Sequence, residues 1–129
     1  MKQISNISLG IFILTLLGGC AVSGPVLEAK STKSGFDGAV YPGVTRIIVE
    51  DPDELAKLEQ LEQYRIFEQS ATSYGSIPEA RDQAEPRAKE FCRSKSKAMK
   101  TIKEITSTPP HILGNFPRIE IIFVCVDRR

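Results

Sequence analysis

Hydrophobic and polar residues change rhythm several times along this chain, and each change predicts a different element. An apolar run from Leu9 to Leu17 follows a start whose one charged side chain is Lys2. Residues 21–43 (AVSGPVLEAKSTKSGFDGAVYPG) keep no period and are rich in Gly, Ser, Lys and Pro, which predicts a flexible tether. The β-branched stretch 44–50 (VTRIIVE) predicts a strand. Asp51-Pro52-Asp53-Glu54 then has the form of a helix start, with Asp51 as N-cap, Pro52 in the first helical position and acids in the first turn. These acids lack the spacing and central glycine of a calcium loop, so they read as capping groups. Leu55, Leu58 and Leu61 give the short helix its apolar stripe.

Residues 64–71 (YRIFEQSA) predict a second strand, and 72–76 a turn around Gly75. Ser76-Ile77-Pro78-Glu79 has the S-x-x-E form of a capping box. After it, Ala80, Ala84, Ala88, Phe91, Cys92, Ala98, Met99 and Ile102 keep helical spacing, which predicts one long helix that Pro86 kinks or divides. Ile105 opens a short strand that Thr108-Pro109-Pro110 ends. Residues 118–126 (RIEIIFVCV) form a nearly continuous β-branched run, a strand covered on at least one face, with Ile119, Ile121, Phe123 and Cys125 on one side. The predicted class is α+β: a small sheet of three to four strands packed on one long and one short helix, tied by one disulfide.

The chain has 129 residues, enough for one modest domain. The apolar run 9–17 is about half of the ~20 residues that a membrane-spanning helix needs. A charged start, a short apolar middle and a small-residue end are the parts of a secretory signal. Leu17-Gly18-Gly19-Cys20 resembles the lipobox of bacterial lipoproteins. That resemblance implies cleavage before Cys20, a diacylglycerol on its sulfur and an acyl group such as palmitate on its amine. The domain reading is then 1–19 signal peptide, 20–43 lipidated tether and 44–129 periplasmic domain. Ala21, where inner-membrane lipoproteins tend to carry aspartate, implies the outer membrane.

With Cys20 lipidated, two of the three cysteines remain. Cys92 lies on the apolar stripe of the long helix and Cys125 on the apolar side of the last strand, so both face one core. In an oxidising compartment they are expected to form a disulfide. It closes a loop of about 34 residues, worth roughly 4 kcal/mol in the chain-entropy account.

A net charge of +1 gives no case for nucleic acid. The charge is nevertheless uneven. Acids dominate from Arg46 to Glu68, whereas Arg87, Lys89, Arg93, Lys95, Lys97, Lys100 and Lys103 face Glu90 alone. Helical spacing would group Arg93, Lys97 and Lys100 on one exposed side, a candidate face for an acidic protein, anionic lipid or glycan. The one histidine, His111, lies in a proline-flanked loop and reads as a surface residue. No metal site, cofactor motif or nucleophile motif can be written from these residues.

A second resemblance runs from about Thr45 to Asp127. A strand ending before a short acidic helix (TRIIVEDPDEL), a second strand, Ser-Ile-Pro-Glu-Ala-Arg opening a long helix, and a cysteine in the last strand are similar to the domain of the Rcs-type outer-membrane stress-sensor lipoproteins. That family carries two disulfides in the domain, and this chain has cysteines for one. The expected function is a lipid-anchored, non-enzymatic binding, sensor or assembly module of the cell envelope. The alternative is an envelope enzyme acting on cell-wall glycan.

Overall fold

The computed structural model describes residues 21–129. The expected signal segment and Cys20 lie outside them. Six strands and two helices follow in the order β1 (Val22–Ser23), β2 (Leu27–Glu28), β3 (Val44–Ile47), α1 (Pro52–Glu59), β4 (Gln63–Gln69), α2 (Ile77–Ser94), β5 (Lys97–Thr106) and β6 (Arg118–Asp127). All pair antiparallel in one sheet of order β1-β4-β6-β5-β3, with β2 also on the outer edge of β4. The class is α+β as read from the sequence, with more strands than expected.

The central strand β6 explains the architecture. Residues 118 to 124 are buried without alternation, so both faces of the sheet need a cover. On one face α2 lays the i, i+4 row Ala80, Ala84, Ala88 and Cys92 against Ile66, Ile119, Ile121 and Phe123. Small helix residues let the backbone approach closely while the sheet supplies the bulk. Tyr64, Phe91 and Phe123 close this core with ring centroids 4.7–6.2 Å apart. On the other face Leu55 and Leu58 of α1 and Val49 meet Ile102, Val124 and Val126.

Both helix starts match their sequence signatures. Asp51 Oδ1 accepts from the Asp53 N–H at 3.0 Å, and Ser76 Oγ from the Glu79 N–H at 3.2 Å. Helix α2 runs through Pro86 without interruption.

Two expectations are corrected. The long helix does not reach Ile102. It ends at Ser94, Lys95 caps it with its N–H on Cys92 O, and Ser96 turns the chain with a φ of 59°. Residues 97–106 are strand β5, with a register shift between Thr101 and Lys103. Met99 therefore packs on the α2 side and Ile102 on the opposite side, where one helical stripe would have put them together. Lysines at 97, 100 and 103 imitated a solvated helix face, and the bulge blurred the two-residue alternation.

The second correction concerns residues 21–43, expected as a flexible tether. They are fastened along β4. Val22 and Ser23 pair with Gln69 and Glu68, and Leu27 and Glu28 with Arg65 and Tyr64. The Gly24 N–H donates to Phe67 O at 2.9 Å and the Ala29 N–H to Gln63 O at 2.8 Å. Phe36 is buried edge-on to Phe67, with ring centroids 5.9 Å apart. This segment supplies the two strands that the sequence reading lacked.

The Cys92–Cys125 disulfide is present, with Cα atoms 5.3 Å apart, and it staples α2 to β6. Cys92→Ser or Cys125→Ser should lower unfolding free energy by about 2–5 kcal/mol, and the double variant little further. Denaturant melts together with thiol trapping of the unfolded chain check this. Two free thiols at positions 92 and 125 in the wild type would contradict it.

Candidate functional site

Charged residues inside a sheet are where chemistry is first sought. Glu68, Glu104 and Glu120 are buried carboxylates, and each meets arginine. Arg87 of α2 binds Glu68, which also accepts from Ser23 Oγ at 2.8 Å. Arg81, one turn and a half earlier on α2, forks onto both oxygens of Glu104 at 2.9 and 3.0 Å, and Arg46 of β3 adds a contact at 3.1 Å. On the other face Arg65 binds Glu120 at 2.9 Å, and the Gly35 N–H donates to the second Glu120 oxygen at 2.7 Å. Burial by itself pushes the Glu104 carboxyl up, but the two guanidinium groups outweigh it and hold the group below its usual range. The same Glu104 contact raises Arg81 against the effect of its own burial. Each of these carboxylates is thus held by at least one guanidinium and tied to a second element of the fold, the arrangement of a structural strut.

A second cluster joins Ser107 to His111. Ser107 Oγ lies 3.1 Å from His111 Nε2, a pairing that the sequence did not reveal. Ser107 is buried, and its oxygen already accepts the Arg118 N–H at 2.9 Å. No carboxylate contacts the imidazole among the described residues, so the pair lacks both an exposed nucleophile and an orienting acid. It closes a turn. Beside it Arg118 lies over the Phe36 ring at 4.8 Å and donates to Tyr41 O at 2.9 Å. Burial lowers its pKa. No group of three His, Cys, Asp or Glu that could hold a metal ion occurs among the described residues.

The third site is a groove of about 670 Å³ between the C-terminal half of α2 and the ends of β5 and β6. Its apolar lining comes from Pro86, Ala98 and Met99. Lys89, Arg93, Lys97, Arg128 and Arg129 surround it, against Glu90 and Asp127. Two acids stand among the five cations, Glu90 3.8 Å from Arg93 and Asp127 3.9 Å from Lys97, which leaves the groove an excess of three positive charges. Such a groove holds an anion by charge and gives its apolar portion a surface to cover.

The structure thus brings Arg93 and Lys97 together and removes Lys100 from them. Lys100 points to the α1 face of β5, where its Nζ meets Glu54 at 2.7 Å. Strand alternation is the cause. Lys89, Arg128 and Arg129 join the groove although they were not singled out, and the basic pair after the last strand was the one available signal.

No protein-family model, curated protein or solved structure matches the chain. The reading of the site therefore rests on its own geometry.

The depressed Glu104 pKa carries a pH signature. Its contribution to stability is complete above the unfolded glutamate value of about 4.3 and is lost as pH falls through the lower folded value. Glu104→Gln should lower stability near neutrality and flatten the acid limb of the stability–pH curve below about pH 4. Urea melts of both proteins between neutral and acid pH check this, and parallel curves would contradict it.

Proposed function

We propose that this protein is a lipid-anchored, non-enzymatic module of the cell envelope whose basic groove binds an anionic partner. The observation that carries the binding part is the groove itself, lined by five cations against two acids, with Pro86, Ala98 and Met99 as its apolar part. The filled core and the arginine-bound glutamates speak for a scaffold, and against a pair of carboxylates working on glycan. The disulfide fits export to an oxidising compartment. The anchor rests on the resemblance of Leu17-Gly18-Gly19-Cys20 to a lipobox and puts the protein on a membrane, in the class rule the outer one, facing the periplasm. No helix among the described residues is long and apolar enough to cross a membrane.

Within that reading Arg93 and Lys97 belong to the binding face, and Lys100, paired with Glu54, serves to hold α1 on the sheet.

Labelling with palmitate and affinity capture from detergent-solubilised envelopes test the two halves together. Cys20→Ala should abolish label and leave uncleaved precursor. Arg93→Glu combined with Lys97→Glu should keep the label and lose salt-sensitive partners, with stability nearly unchanged because exposed charges contribute about 0–1 kcal/mol each. Unlabelled wild-type protein would refute the anchor. Identical captured sets at low and high salt would refute the groove.

A further inference from the structure

The two ends of the sheet differ in chemistry. At one end lie the groove and the charged residues Lys97, Asp127 and Arg128. At the other end, about 30 Å away along the ten residues of β6, lie Gln69 opposite Arg118, Thr106 opposite Ile119, and Val44 opposite Thr106. Three segments emerge there: 38–44, 70–76 and 107–117. None contains Asp, Glu, Lys or Arg, in a chain where 26% of residues are charged.

These segments instead present apolar side chains to solvent. Val40 is 89% exposed, Tyr74 96%, Leu113 87% and Ile112 56%, with Val22 and Tyr41 beside them. The loops are held in place rather than left loose. Tyr41 Oη donates to Leu113 O at 3.1 Å, Arg118 donates to Tyr41 O, and Asn115 Nδ2 donates to Thr108 O and Pro110 O at 2.9 and 2.8 Å. Leu113 sits at a φ of 52°, so the loop turns outward at its most exposed leucine.

The described chain begins at this same end. Val22 pairs with Gln69, and Ala21 lies against Ser70 and Ala71. Cys20 and the apolar run 9–17 precede it directly. Two residues of extended chain span at most about 7 Å, so whatever holds Cys20 at a bilayer brings this end of the sheet, with its three charge-free loops, to the bilayer surface.

We propose that the loops 38–44, 70–76 and 107–117 form a membrane-contacting surface that inserts Val40, Ile112, Leu113 and Tyr74 into the headgroup region of a phospholipid bilayer. This rests on the lipid-anchor reading. Tyr41 and Tyr74 suit an interface that is apolar on one side and wet on the other. The domain then stands upright on its anchor, and the basic groove opens away from the lipid, toward soluble or membrane-distal partners. Lipid phosphates are therefore not the groove's ligand.

The chain contains no tryptophan, so single-tryptophan variants read position without background. Tyr74→Trp and Leu113→Trp mark the loops, and Leu61→Trp marks the opposite end; all three positions are exposed. Each full chain is purified from membranes, weighed intact for acyl chains, and reconstituted into phosphatidylethanolamine–phosphatidylglycerol vesicles with brominated acyl chains. Tryptophan at 74 and 113 should shift to the blue and lose emission to bromine, and tryptophan at 61 should do neither. Adding Val40→Ser and Leu113→Ser to the Tyr74→Trp protein should reduce its quenching. Acylated protein with equal, weak quenching at all three sites overturns the contact surface, points to a protein covering these loops, and leaves the anchor standing. Protein without acyl chains overturns the anchor reading and this proposal with it.

Discussion

Glu120 sits fully buried near the start of the central strand. A carboxylate there is tolerable only when cations and donors replace the water it has lost. Arg65 comes from the neighbouring strand, and the Gly35 N–H comes from a segment that the sheet alone would not have recruited. The pattern recurs at Glu68. Arg65 also donates to Ala29 O at 2.7 Å, and Arg87, holding Glu68, donates to Gly24 O at 2.6 Å. The groups that neutralise Glu120 and Glu68 thus also clasp residues 24–35, whereas Glu104 is held by Arg81 and Arg46 alone. Electrostatic satisfaction of the sheet and immobilisation of the preceding chain are one requirement.

That requirement shapes the whole molecule. A strand buried on both faces needs two covers, and α2 provides one. Helix α1 is too short for the other, so residues 29–49 complete it with Phe36 and Val49. Drawing this chain onto the sheet leaves no slack between Ala21 and the domain. It also separates the molecule's two ends, one with apolar loops that carry no charged side chain, the other cationic. In the proposed reading the first meets lipid and the second meets the partner, and the spacing between them is the length of β6.

The sequence carried the local signals faithfully. Asp51, Ser76 and the β-branched run at 118–126 act at short range, and their elements formed where the residues indicate. The disulfide was legible because two cysteines fell on two apolar faces. Residues 97–106 were misread because Lys97, Lys100 and Lys103 repeat every third residue, while a bulge interrupts the alternation of the strand. Residues 21–43 were misread because nothing local makes them regular. Their order comes from contacts as distant in sequence as Gly35 with Glu120, and no window of neighbouring residues contains such a contact. Half of the basic site was visible for a related reason. Arg93 and Lys97 flank the turn at Ser96 and so stay on one groove, whereas placing Lys100 depended on knowing helix from strand.

The claim on which these conclusions depend is that residues 21–43 belong to the folded domain. Native-state amide hydrogen exchange on the full chain addresses it directly, at the N–H groups of Gly24, Ala29 and Gly35, which donate to Phe67 O, Gln63 O and Glu120. The account predicts slow exchange at all three, and faster exchange at Gly35 once Glu120 is changed to alanine. Exchange at the rate of an unstructured peptide at all three in the wild-type protein would show a free tether, and would contradict the account.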